Sequence, residues 1–277
     1  MIAFVLTVPA SEVELASDAL WALGVAAIEE RVASGDTPET EDHLVELWTS
    51  LGTDVAAVTA AAEAFPARWR WRTVPVDQAI SESWRAHVVP SWIDQSLVVV
   101  PAWRDVDVPE GVLRVDIDPG EAFGLGDHPT TILTLRLLRR TIWPSATVLD
   151  VGCGSGVLAI VAARLGAPFV QAIDVSPAAI EATTANAARN GVGAVVSAST
   201  TPLRDIGEAF DVVLANLLAP ALVELAPELR RVTAPAGALI VSGLLDDAYG
   251  HVVDALAPMR VVGTATREGW AALLLRH

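Results

Sequence analysis

The 277-residue chain has no lysine, one cysteine and one tyrosine. Its 18 basic residues are all arginine and stand against 34 acidic ones, a formal net charge of −16. Such a chain does not bind bare nucleic acid strongly, because that binding comes from basic side chains displacing counterions from phosphates. A basic protein partner, in contrast, would be attracted and steered. The charge also serves solubility. Long hydrophobic runs are missing as well. The composition is 52% hydrophobic, yet no uncharged apolar run reaches the ~18–20 residues of a membrane span. The apolar start, residues 1–9, lacks a basic leader and reads as a strand. With a single cysteine there is no internal disulfide, so the cytoplasm is the expected compartment. No second His or Cys lies at ligand spacing from His128, and no metal is expected.

What is present is a nucleotide-binding half-fold. The stretch Val148-Leu-Asp-Val-Gly-Cys-Gly-Ser-Gly156 ends an apolar run in three glycines, and an amphipathic helix follows at once. The next apolar run, 169–173, ends on Asp174. Glycines let backbone approach a ligand, and an acid about 20 residues on can hold a ribose diol. The spacing is G-x-G-x-G, with Val157 where a dinucleotide fingerprint has a small residue. Pyrophosphate therefore has a poorer seat on the helix N-terminus. S-adenosylmethionine, which has adenosine and a charged methionine tail but no phosphate, fits better. Cys153, inside the turn, reads as a small filler rather than a nucleophile, since no base has a defined place beside it.

The chain divides in two. Residues 1–75 read as a βαββαβ unit of the ferredoxin-like pattern. Its strands fall at 2–8, 25–32, 44–48 and 69–74, its helices at 11–23 and 54–65, with an acidic turn at 34–42. Ser11 is a plausible N-cap. The strip Arg68-Trp-Arg-Trp-Arg72 alternates like a strand. It suits either RNA stacking or a core-facing tryptophan pair. Residues 76–115 read as a linker region with a short helix at 83–87 and a strand at 97–100. From 116 to 277 strand and helix alternate, as in a doubly wound α/β sheet. Strands fall near 146–151, 169–173, 194–198, 211–215, 236–242, 259–266 and 270–275. Helices fall near 129–142, 156–165, 177–190, 220–231 and 247–257. Only 267–269 separate the last two strands, too few for a parallel crossover, so they form a hairpin. One strand at that edge then runs antiparallel, the shape of class I methyltransferases.

Two further stretches carry chemistry. Asp118-Pro-Gly-Glu-Ala-Phe-Gly-Leu-Gly-Asp-His-Pro-Thr-Thr131 is a glycine-rich loop that can fold over a ligand. Thr130 and Thr131 follow in the first turn of the helix, and His128 suits a structural or a functional role equally. In Asp211-Val-Val-Leu-Ala-Asn-Leu-Leu-Ala-Pro220, Asn216 falls at the carboxyl end of a strand, where open α/β sheets bind ligands. Its side-chain carbonyl can accept a hydrogen bond from an attacking amine; as a bland alternative it caps the next helix. Enzymes that methylate nucleobase amines usually carry Pro-Pro and an aromatic after this position, and here it is Leu217-Leu218-Ala219. A flipped base is therefore disfavoured as substrate.

Taken in order, Asp118-Pro-Gly, Phe123-Gly, Gly126-x-His-Pro-Thr-Thr131, 149–158 and Ala215-Asn-Leu-Leu-Ala219 resemble the PrmA family, the ribosomal protein L-eleven methyltransferases. Trp84, Pro101-Ala-Trp103 and Glu268-Gly-Trp270 also look like that family. The resemblance runs from about 80 to 277. It implies S-adenosylmethionine-dependent N-methylation of lysine and N-terminal amino groups of that ribosomal protein. It also implies a substrate-recognition domain where residues 1–75 stand. Cofactor contacts are expected at Thr131, Gly152, Gly154, Asp174 and Asn216, with Asn216 as the catalytic residue. The chain departs from the family at Leu125, where threonine is usual. A basic ribosomal protein is the expected partner, with no direct nucleic-acid specificity, no membrane and a monomeric state. The rival readings are a methyltransferase for another protein lysine or small-molecule amine, a non-catalytic S-adenosylmethionine-binding protein, and a dinucleotide oxidoreductase.

Overall fold

The computed structural model describes residues 2–23, 25, 28–33, 43–49, 55–75, 88–120 and 124–277. The short helix at 83–87 with Trp84, the acidic turn at 34–42 and Phe123 lie outside them. The chain forms two compact units, Met1–Val88 and Val89–His277.

The first unit holds strands β1 (Ile2–Pro9), β2 (Ile28–Val32), β3 (Leu44–Thr49) and β4 (Arg70–Pro75), with helices α1 (Val13–Ala22) and α2 (Val55–Ala62). The sheet order is β2-β3-β1-β4, and every neighbouring pair is antiparallel. Alternation decides the faces. Phe4, Leu6 and Val8 of β1 join Val45 and Leu47 of β3 in one core with Ala16, Leu20, Val58 and Ala62 of the helices. On the opposite face the Arg31 guanidinium lies 4.4 Å from the Trp48 ring centroid, and Arg72 pairs with Glu46 at 2.9 Å. The tryptophan strip is split: Trp69 is buried in this core, whereas Trp71 is 39% exposed and stacks on Phe4 with ring centroids 5.7 Å apart, so only one of the expected core-facing pair is buried.

The second unit begins earlier than position 116. Strands β5 (Ser91–Asp94), β6 (Leu97–Pro101) and β7 (Leu113–Ile117) form a three-stranded sheet of their own. Ile93, Leu97, Val99, Val115 and Ile117 belong to the same core as the helices that follow. From residue 89 the expected linker is therefore part of the folded unit.

The main sheet has seven strands: β8 (Thr147–Val151), β9 (Phe169–Ile173), β10 (Val196–Ser199), β11 (Phe210–Asn216), β12 (Thr233–Leu245), β13 (Arg260–Arg267) and β14 (Trp270–Arg276). Their order is β10-β9-β8-β11-β12-β14-β13. The last two strands form the hairpin read from their short spacer. The antiparallel strand is β14, and it is inserted between β12 and β13, so the edge itself is β13 and not the antiparallel strand. The sheet is covered on both faces by helices α3 (Pro129–Thr141), α4 (Val157–Arg164), α5 (Pro177–Arg189), α6 (Ala219–Val232) and α7 (Gly250–Ala255). Side chains along β11 alternate between two cores, Val212 and Leu214 in one, Val213 and Ala215 in the other. That is why the central strands read as unbroken apolar runs. From β8 the chain leaves toward β9 on one side, and β11 pairs with β8 on the other. This switch opens a crevice at the carboxyl ends of β8, β9 and β11, the place where such sheets bind ligands.

Candidate active site

The glycine turn follows β8 directly. The N–H groups of Gly152 and Cys153 both donate to Ile173 O, at 2.8 and 3.1 Å. Gly154 N donates to Asp174 Oδ2 at 3.0 Å, and Gly156 N to Cys153 O at 2.8 Å. Four amides of the turn are thus spent within the protein and do not point at a phosphate. The other carboxylate oxygen, Asp174 Oδ1, accepts from Ser176 N at 2.9 Å, so the acid is held from both sides. Gly152 has φ +75°, and an added Cβ would stand 2.3 Å from Leu217 Cδ2. The turn and the residue after Asn216 are therefore packed without room for a side chain between them.

Asn216 closes β11. Its Nδ2 donates to Thr131 Oγ1 at 3.4 Å, which joins the end of the strand to the first turn of α3. Asn216 does not cap the next helix: the N-cap of α6 is Leu218, and it makes no side-chain cap bond. His128 takes a structural place as N-cap of α3. Its Nδ1 lies 2.8 Å from Thr130 Oγ1, and its ring meets Trp270 edge-on at 5.0 Å between centroids. Burial holds the imidazole below its ordinary pKa, against the pull of Asp127 and Glu268.

All five residues singled out from the sequence line one cavity of about 750 Å3: Thr131, Gly152, Gly154, Asp174 and Asn216. That volume suits a cofactor-sized ligand. Its remaining wall is largely aliphatic, with Val157, Leu158, Ile173, Leu203 and Leu217. Among the described residues lining it, none is aromatic. The chain as a whole matches the family described as ribosomal protein L11 methyltransferase (PrmA) over residues 5–277.

The chain belongs to that family. It is 38% identical over 244 residues to the ribosomal protein L11 methyltransferase of Symbiobacterium thermophilum, covering 87% of this chain and 79% of that one. It is 41% identical over 210 residues to the enzyme of the same description from Citrifermentans bemidjiense, covering 74% of this chain and 69% of that one. Among solved structures it resembles the ribosomal protein L11 methylase from Lactobacillus delbrueckii subsp. bulgaricus. There the TM-score is 0.64 at 34% identity, covering 68% of this chain and 99% of that one. The second unit thus has the mixed-sheet α/β architecture of class I methyltransferases.

Several residues of the site escaped the sequence reading. Val175 is 96% exposed although apolar, and it lines the cavity beside Asp174. Its position directly after the strand-ending acid was the available signal. Thr200, Thr201 and Leu203 come from the segment after β10. Leu125, the departure from the family pattern, is half-buried and does not line the cavity. Behind the turn, Asp150 is fully buried. Its Oδ2 accepts from Ala159 N at 3.1 Å, while Oδ1 has no partner. Burial raises its pKa to about 7, with a smaller push from Asp174. Cys153 is likewise raised to about 12 by burial first and then by Asp150, which removes it as a nucleophile. Among the described residues there is no cluster of three metal-ligating side chains, and no helix is long and apolar enough to cross a membrane.

Proposed function

We propose that this protein is an S-adenosylmethionine-dependent protein N-methyltransferase that modifies lysine and N-terminal amino groups of ribosomal protein L11. The observation that carries the cofactor reading is the spent glycine turn. With the amides of 152, 153, 154 and 156 bonded inside the protein, the turn suits a ligand without phosphate. Asp174, fixed by two backbone amides, is oriented to take the ribose diol. Exposed Val175 and the aliphatic wall near Leu203 suit the flat face of adenine. Thr131, Gly152, Gly154 and Asn216 lie where the methionine end would be held. The cofactor supplies a methyl group on a sulfonium, already activated for displacement.

The protein's own residues then have to align the acceptor and keep it uncharged. A free lysine, with pKa near ~10.4, is almost wholly protonated at neutral pH. An aliphatic surround favours loss of that charge by withholding solvation. Asn216 is our catalytic residue. Its Nδ2 is engaged by Thr131, which leaves the carbonyl Oδ1 to accept from the incoming amine and aim its lone pair. A nucleobase lacks a stacking platform here, because Leu217 and Leu218 follow Asn216. Leu218 is 62% exposed and Leu245, at the end of β12, 53%. Such exposed aliphatic side chains suit the methylene stem of a lysine.

Recognition of the substrate falls to the first unit in this reading. Its βαββαβ order and fully antiparallel sheet support a ferredoxin-like domain at 1–75. A net charge of −16 favours a basic ribosomal protein over RNA as partner. A monomer in the cytoplasm is consistent with that substrate. The test replaces Asn216 by alanine and compares turnover with cofactor affinity. Lost orientation should reduce methyl transfer by ~10²-fold, while calorimetry should still show cofactor binding. Near-normal turnover in that variant would reject the catalytic assignment. Calorimetry with a dinucleotide in place of the cofactor should show no binding.

A further inference from the structure

Two buried asparagines, Asn186 on α5 and Asn190 at its C-cap, bond to backbone outside the helix. Asn186 is fully buried and Asn190 is 7% exposed. They are four residues apart on the helix, a rise of ~6 Å, close to the ~6.6 Å between alternate residues of a strand. They meet β7 and the residue after its end at that spacing. Asn190 Oδ1 accepts from Asp116 N at 2.9 Å, and its Nδ2 donates to Asp116 O at 2.7 Å. Asn186 repeats the pattern at Asp118: Oδ1 accepts from Asp118 N at 3.0 Å, and Nδ2 donates to Asp118 O at 2.8 Å. The helix thus supplies the bonding partners of a missing strand and fixes the root of the loop that begins at Asp118.

Asn186 has a second attachment. Its remaining amide hydrogen goes to Ser155 O at 2.9 Å, and Arg189 donates to its Oδ1. All four of its bonding positions are filled. Ser155 belongs to the glycine turn and is 0% exposed. Its hydroxyl donates to the carbonyl of Gly124, on the far side of the same loop. Gly124 and Ser155 both line the cavity. Gly124 has φ +106°, and an added Cβ would stand 3.2 Å from Ser155 Oγ. The glycine turn is therefore bonded to the loop through Gly124 and, by way of Asn186, to the loop's root at Asp118.

We infer that Ser155 and Asn186 are positioning residues that fasten Gly124 and Asp118, respectively, to the glycine turn and so set how long the cofactor stays bound. Ser155 is the member to test. Removing its hydroxyl unties Gly124 at the cavity wall while the Asn186 bonds to Asp118 remain. This inference rests on the cofactor reading above, so the native protein is measured first. If it binds no S-adenosylmethionine, that reading fails and the inference with it.

The experiment measures cofactor dissociation by stopped-flow, together with KM for cofactor and for the acceptor protein. One hydrogen bond contributes ~0.5–1.5 kcal/mol net, so Ser155→Ala should speed dissociation about 2- to 13-fold. The change should appear in cofactor KM and not in acceptor KM. A purely structural role would lower the folded fraction without altering dissociation from the molecules that remain folded. Should Ser155→Ala fail to fold, Gly124→Ala strains the same contact from the loop side and should speed dissociation in the same range. Native binding with unchanged dissociation in a folded variant would overturn the inference, as would a loss confined to kcat.

Discussion

Gly243 lies on β12 behind the proposed catalytic asparagine, and replacing it by alanine tests whether backbone packing sets the position of Asn216. Gly243 has φ +90° and sits where the register of β12 against β14 shifts, between Ser242 and Leu244. An added Cβ would stand 2.1 Å from Leu217 O and 2.7 Å from Leu217 C. Ordinary carbon–oxygen contacts begin near ~3.3 Å, so the backbone there must move by about 1 Å. A rotamer change cannot relieve it, because the obstacle is main chain. Leu217 N donates to Ser242 O at 3.0 Å, so the segment that must move is also bonded to β12. Asn216 is the next residue back and moves with it. A left-handed backbone costs alanine ~1–2 kcal/mol, and the forced shift adds ~1–3 kcal/mol. Gly191→Ala is the matched control, with φ +71° and nothing within 4 Å of the added Cβ. It carries the first cost alone. Methyl transfer to ribosomal protein L11 and thermal unfolding are measured on both variants. At ~2–4 °C per kcal/mol for a unit of this size, Gly243→Ala should melt several degrees below Gly191→Ala. A ~1 Å misplacement of the orienting group should also cost it ~10²-fold in turnover, whereas Gly191→Ala keeps near-native turnover. Equal turnover in the two variants would refute the claim that Leu217 transmits the clash to Asn216.

Two further outcomes follow from buried groups near the turn. Asp150 keeps its proton up to about 7 in the native state, against 3.8 ordinarily, because burial penalises the charge. Between those values the unfolded chain has lost a proton that the native chain retains, so native stability falls as pH rises through the window and levels off above it. The fall is on the order of 4 kcal/mol. Asp150→Asn keeps the acceptor for Ala159 N and removes the titration. Its stability relative to native in urea should therefore improve from about pH 4 to about pH 8, and a constant difference would contradict the assignment. Cys153, the sole thiol, is buried and held near 12. A thiol reagent at neutral pH should label it only on unfolding, and prompt labelling of the folded protein would place it elsewhere.

What was legible in the sequence is what short-range spacing encodes. The glycine turn and Asp174 are separated by one helix and one strand, so their meeting follows from the half-fold itself. Asn216 was legible as the last residue of an apolar run. Thr131 was reached through the family resemblance, and its contact with Asn216 spans 85 residues. Strands β5 and β7 were missed because Ser91, Asp94, Arg114 and Asp116 break their short apolar stretches, and because β7 pairs with a strand 12 or more residues away. The hairpin of β13 and β14 followed from a three-residue spacer, but its insertion beside β12 is a long-range pairing that no local pattern carries. Asn186 and Asn190 look like solvent-facing helix residues in the sequence. Their partners lie 68 and 74 residues away, and only the fold brings them together.

The central claim is that this chain transfers methyl groups from S-adenosylmethionine to ribosomal protein L11. Mass spectrometry of that protein, purified from cells with and without this gene, tests it most directly. The account predicts L11 carrying whole methyl increments on lysine and N-terminal amines when the gene is present, and unmodified L11 when it is deleted. Identical L11 masses from the two strains would contradict it.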